Sequence, residues 1–80
     1  MSYHKRNITK GILGDISKVQ EEVEEYLDAR EQECYIMELV ELSDIYGALE
    51  SLCETYKISM EDLKIMSDIT KRAFKSGARK

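Results

Sequence analysis

Apolar residues recur along this chain at the spacing of helical turns, and three segments show it. In the first, Ile12, Ile16, Val19, Val23 and Tyr26 or Leu27 follow one another in steps of three and four. That spacing lays a single stripe along a helix. It predicts a helix from Thr9 or Gly14 to Ala29, followed by a polar turn from Asp28 to Glu33. The second segment, Glu33 to Tyr56, is apolar around much of its circumference. Ile36, Met37, Leu39, Val40, Leu42, Ile45 and Leu49 point in several directions. A helix of that kind is buried on more than one side. The third segment begins at Ser59, an expected N-cap, with Glu61 and Asp62 in the first turn, where the helix dipole favours acids. Leu63, Met66, Ile69, Ala73 and Phe74 form its stripe, Lys71, Arg72 and Lys75 fall in its last turns, and Gly77 is the expected stop.

The pattern predicts an all-α fold: an antiparallel helical hairpin plus a third helix, completed into a bundle by oligomerisation. A chain of 80 residues is one domain and buries only about 60% of its unfolded surface alone. The second helix therefore calls for other copies, as a homodimer or homotetramer. The single domain spans 1–80, with basic tails at about 1–9 and 76–80. The chain has no proline and 35% charged residues, which speaks against a sandwich of short strands. A 42% hydrophobic share disfavours disorder. No apolar run approaches the ~20 residues of a membrane span. Cys34 and Cys53 fall on one predicted helix, roughly 28 Å apart at 1.5 Å per residue, too far for a disulfide. With no secretory leader, a reducing cytoplasmic setting is expected.

Charge is distributed unevenly. Lys5, Arg6 and Lys10 lie in the first ten positions, and Lys71, Arg72, Lys75, Arg79 and Lys80 in the last ten. All 16 acids lie between, with only Lys18, Arg30, Lys57 and Lys64 for company. A net charge of -4 leaves no basic face on the body, so a nucleic-acid partner is not expected.

Within that acidic middle, four carboxylates stand apart. Glu22 and Glu25 are three residues apart on the first helix and share a face with Lys18 and Ala29. On the second helix, Glu41 falls among Cys34, Met37, Ile45, Ala48 and Leu52, opposite the polar side made by Ser43, Gly47, Glu50, Ser51 and Glu54. Asp44 borders the same stripe. A carboxylate in an apolar face costs several kcal/mol unless paired or bound to a metal. An antiparallel pairing centred on residue 33 sets Glu25 level with Glu41, Glu22 with Asp44, and Lys18 with Ala48. The result is an oxygen-only cage suited to Mg²⁺ or Mn²⁺. A di-iron bundle would need Glu-x-x-His motifs. The one histidine, His4, precedes the helices and reads as an ordinary tail residue.

At these residues the chain resembles a known family. E-E-V-E-E at 21–25 and E-L-S-D at 41–44 are similar to the Glu-x-x-Glu … Glu-x-x-Asp signature of MazG-like nucleotide pyrophosphohydrolases, of the all-α NTP pyrophosphatase superfamily. The closing K-R-A-F-K-S-G-A-R resembles the tail of short phage and bacterial members. The resemblance covers most of residues 10–79. It implies a Mg²⁺-dependent enzyme, with Mn²⁺ as an alternative, that cleaves nucleoside triphosphates between the α and β phosphorus. Glu22, Glu25, Glu41 and Asp44 would be the metal ligands. Glu21 would orient the attacking water or support the ligands from behind. Lys18, Lys71 and Arg72 are the candidate phosphate contacts, and Tyr35, Tyr46 and Tyr56 could stack on a base. The alternative is a non-catalytic regulatory or partner-binding protein of the same fold.

Overall fold

Asp15 sets where the first helix starts. Its extended backbone breaks the helical path, and its side chain accepts from the Ser17 N–H at 3.0 Å. Gly14, just before it, has φ +95°, a left-handed conformation that suits glycine. Of the two expected starts, Gly14 is the nearer, and the helix begins two residues after it, at Ile16. The computed structural model describes residues 4–77, which form α1 (Ile16–Glu31), α2 (Tyr35–Tyr56) and α3 (Met60–Ser76). There is no strand among the described residues, and the fold is all-α. None of the helices is long and apolar enough to cross a membrane.

α2 begins two residues later than expected, because Glu33 takes a left-handed φ of 55° and Cys34 is the N-cap. α3 matches the expectation at both ends. Ser59 and Asp62 exchange side-chain and backbone hydrogen bonds in a capping box, and Gly77 closes the helix at φ 82°.

α1 and α2 pack along each other. The Cys34 N–H donates to the Ala29 carbonyl at the turn between them. At the far end, Thr55 Oγ1 donates to the Gly14 carbonyl at 2.7 Å. The start of α1 thus lies beside the end of α2. α3 is tied in near its own start, where Cys53 Sγ lies 3.6 Å from Met60 Sδ. Cys34 and Cys53 are both free thiols.

The apolar core is small: Ala29, Ala48 and Cys53 are the apolar side chains fully buried among the described residues. Ile36, Leu39, Val40, Leu42 and Tyr46 on α2 remain exposed, as do Ile65, Met66, Ile69 and Phe74 on α3. The stripe expected on the first helix is likewise open at Ile12 and Ile16, and Ile12 lies outside α1 altogether.

Residues 4–15 are not a free tail. They run back over α1, and Gly11 comes so close that a Cβ there would sit 2.2 Å from the Ser17 carbonyl oxygen. That contact is with backbone and cannot be relieved by a rotamer change. Gly11→Ala should therefore destabilise the protein by about 1–3 kcal/mol, as overpacked sites do. A thermal melt reads this as a loss of roughly 4–8 °C per kcal/mol for a domain of this size.

Candidate metal centre

α1 and α2 bring their acids together at the seam. One carboxylate oxygen from each of Glu22, Glu25, Glu41 and Asp44 lies within 4.8 Å of the other three. The sequence register placed these four level with each other, and the structure assembles them. Glu41 is 1% exposed and Glu22 is buried; Glu25 is half-buried and Asp44 opens to solvent. The group is therefore closed at one side and accessible at the other.

Helical spacing explains the convergence. Glu22 and Glu25 are three apart on α1, and Glu41 and Asp44 three apart on α2, so each pair projects from one face. Ala29 and Ala48, both buried, have side chains small enough to let the two helices approach closely at either end of the group.

Electrostatics follows from the crowding. Burial and then the carboxylates of Glu22 and Glu41 push the Glu25 carboxyl up to about 8. Asp44 is raised as well, first by partial desolvation and then by the charges of Glu22 and Glu41, against a weaker pull from Lys18. Lys18 Nζ lies 3.1 Å from both Glu21 and Glu22. Its ammonium pKa is raised, chiefly by its hydrogen bond to Glu22. A second oxygen of Glu22, Oε2, is buried with no hydrogen-bond partner. Such an atom costs about 1–3 kcal/mol, more when charged, unless something positive meets it. The ligating atoms offered here are all carboxylate oxygen, a set whose chemistry suits a hard divalent cation.

The other expected site residues are placed differently. Glu21 is buried on the neighbouring side of α1, outside the group of four. Burial disfavours its charge, but the Gly11 N–H at 2.7 Å, Lys18 and Lys10 outweigh this and hold its pKa below the usual range. Lys71 and Arg72 are exposed on α3, where their charges bear on Asp68 of the same helix. No ion pair among the described residues links them to the four carboxylates. Tyr35, Tyr46 and Tyr56 are exposed on α2, away from the buried side of Glu41.

His4 overturns the expectation of an ordinary tail residue. Its side chain is only 9% exposed, and Nδ1 lies 2.9 Å from Asp28 Oδ2. Its Nε2 is 3.6 Å from Glu25 Oε1 and 3.8 Å from Glu41 Oε1. Asp28 is the second residue the sequence reading missed. It is buried at the end of α1 and accepts from the backbone N–H groups of Lys5 and Arg6 and from Gln32 Nε2 at 2.8 Å. Burial opposes its charge, but His4, the Arg6 N–H, Gln32 and the Lys5 N–H together lower its pKa. Arg6 adds pairs to Glu24 and Glu31. A signal was present: Asp28 stands three residues after Glu25, so the acidic stripe of α1 runs 22, 25, 28. It also puts an acid in the last turn, where the helix dipole is unfavourable without donors.

Comparison of the chain with protein-family models, curated proteins and solved structures finds no match.

The raised Glu25 carboxyl has a pH consequence for the metal-free protein. Below about 4.5, its ordinary value, both folded and unfolded chains hold the proton and nothing changes with pH. Between 4.5 and about 8 the unfolded chain releases it while the folded one retains it. Stability must then fall as pH rises through that window and level off above it. Asp44 contributes with the same sign. Denaturant unfolding in EDTA should give lower stability at pH 8 than at pH 5.5, and Glu25→Gln should flatten the slope.

Proposed function

We propose that this chain is a MazG-like nucleoside triphosphate pyrophosphohydrolase, with Glu22, Glu25, Glu41 and Asp44 as ligands for Mg²⁺ or Mn²⁺. One observation carries the reading: four carboxylates converge at a seam where Glu22 Oε2 is buried without a donor. An arrangement that repels itself is poor architecture for stability alone and good architecture for a cation. Bound there, the ion would shield the triphosphate charge and polarise a phosphoryl oxygen.

In the proposed reaction, water adds to the α phosphorus and the bond to the α–β bridging oxygen breaks. Pyrophosphate leaves with that oxygen and the water's proton passes to solvent, giving the monophosphate. Lys18 stands beside the carboxylates with its ammonium between Glu21 and Glu22. In this reading it would meet a phosphate oxygen at the edge of the site. Glu21 fits the supporting role better than that of a base, because the Gly11 N–H and Lys18 donate to it and, with the charge of Lys10, lower its pKa. It fixes Lys18 and, through the Gly11 N–H, the segment lying over α1.

The same reading includes a helical hairpin of α1 and α2, completed into a bundle by a second copy or by four copies. The exposed apolar side chains of α2 and α3 are the support for this. Surfaces of that extent mark a contact face in a folded protein. Within one chain Lys71 and Arg72 stay on α3, so their proposed contact with phosphate depends on the assembly.

Two measurements test the proposal. Incubation with a panel of NTPs and dNTPs plus Mg²⁺ or Mn²⁺ should release pyrophosphate and monophosphate. Glu22→Gln, Glu25→Gln, Glu41→Gln or Asp44→Asn should each cut the rate by on the order of 100-fold, since each removes a charged ligand. Glu24→Gln should stay within about threefold, because Glu24 is half-exposed and pairs with Arg6 at the surface. No pyrophosphate from any nucleotide would favour a non-catalytic regulatory or partner-binding protein instead. Sedimentation at micromolar concentration should show at least a dimer, and a well-folded monomer would exclude the assembly.

A further inference from the structure

We propose that His4, Glu25 and Glu41 form a second, nitrogen-containing cation site that takes a transition-metal ion, with Asp28 holding the imidazole in place. Two of its residues belong to the carboxylate group above, so the inference rests in part on that reading. Three observations carry it.

The first is ligand geometry. His4 Nε2 and one oxygen each from Glu25 and Glu41 lie within 4.8 Å of one another. The nitrogen is 3.6 and 3.8 Å from the two oxygens. Ligands bound at about 2.0–2.2 Å around a tetrahedral ion stand roughly 3.5 Å apart. A small contraction would therefore close the set around one ion.

The second is orientation of the imidazole. Asp28 accepts from the Lys5 and Arg6 N–H groups and from Gln32 Nε2, so its carboxylate is set as an acceptor where it meets the ring. The hydrogen at the 2.9 Å contact must then come from His4 Nδ1. With Nδ1 turned to Asp28, Nε2 is the ring atom that faces Glu25 and Glu41. A carboxylate behind a histidine, setting its tautomer and angle, is the recurrent support for an imidazole that ligates a metal. The segment is anchored for this purpose at several points. The Lys5 and Arg6 N–H groups reach Asp28, and the Arg6 guanidinium reaches Glu24 and Glu31.

The third is need and access. Glu22 Oε2, on the adjoining ligand of the same carboxylate group, is buried with no partner. Positive charge is thus in deficit at this seam even with Lys18 present. A cavity of about 270 Å³, lined by His4, Arg6, Asn7, Ile8, Lys10 and Glu25, opens at the histidine and gives an ion a way in.

The two sites differ in chemistry. Four carboxylates suit a hard ion such as Mg²⁺, whereas an imidazole with two carboxylates suits Mn²⁺, Fe²⁺ or Zn²⁺. Glu25 and Glu41 are common to both, so they would bridge two ions when both sites are filled.

The test is spectroscopic and needs no enzyme activity. Mn²⁺ is added to the full-length wild-type protein and to His4→Ala, and electron spin echo modulation from ¹⁴N is recorded. The wild type should show imidazole nitrogen coupled to the bound ion, and His4→Ala should lose it. In parallel, calorimetric titration with Zn²⁺ should show at least a tenfold weaker affinity in His4→Ala and in Asp28→Asn, with Mg²⁺ affinity unchanged in His4→Ala. Mn²⁺ bound by the wild type without nitrogen coupling would overturn the histidine site and leave the carboxylate site standing. No Mn²⁺ binding at all would overturn both. Because the wild-type spectrum alone can refute the proposal, its outcome does not depend on either variant folding.

Discussion

Ionised carboxylates within 4.8 Å of one another repel by on the order of 3 kcal/mol per pair at an effective dielectric near 20. Four of them sit where α1 meets α2, and the rest of the molecule is arranged around that repulsion. Glu25 responds by holding its proton to about pH 8. Lys18 responds by spanning Glu21 and Glu22. His4, from the segment before α1, lies against Glu25 and Glu41. One acid and one amine moderate the charge, yet a buried oxygen of Glu22 is still without a partner.

This explains why the segment before α1 is ordered structure. Its basic residues are attracted to an acidic body, but attraction alone would leave them mobile at the surface. Asp28 converts it into a fixed path by accepting two successive backbone N–H groups and the His4 ring. Gly11 allows the same segment to touch the α1 backbone, and its N–H then neutralises part of Glu21. The two buried acids outside the quartet, Glu21 and Asp28, both take donors from residues 4–11, joined by Lys18 and Gln32. Their pKa values fall while those of Glu25 and Asp44 rise. Acids on one helix are sorted by what donates to them.

Much of this was legible in the chain. Ser59 and Gly77 fixed both ends of α3 because capping chemistry is local. The register that levels Glu25 with Glu41 and Glu22 with Asp44 followed from helical spacing and the position of the turn. What stayed hidden was non-local or aperiodic. His4 has no stripe to belong to, and its neighbours in space are 21 and 37 residues away in sequence. The late start of α2 depended on a left-handed Glu33, a residue type that gives no warning of that conformation. Burial of the first helical stripe was overestimated at Ile12 and Ile16, since periodicity marks an apolar face without saying whether this chain or another covers it.

That last point joins the proposed assembly to the proposed site. α2 holds Glu41 on its inner face and Leu39, Val40, Leu42 and Tyr46 on faces that this chain leaves open. With three fully buried apolar residues among those described, a single chain has little hydrophobic stabilisation to set against four crowded carboxylates. Covering the outer faces of α2 would add apolar burial at about 25 cal/mol per Å². A bound cation would remove the repulsion on its inner face. Both act on the same helix and in the same direction, so each should favour the other through the stability of α2. Assembly and metal binding would then be linked thermodynamically without any contact between the subunit interface and the ion.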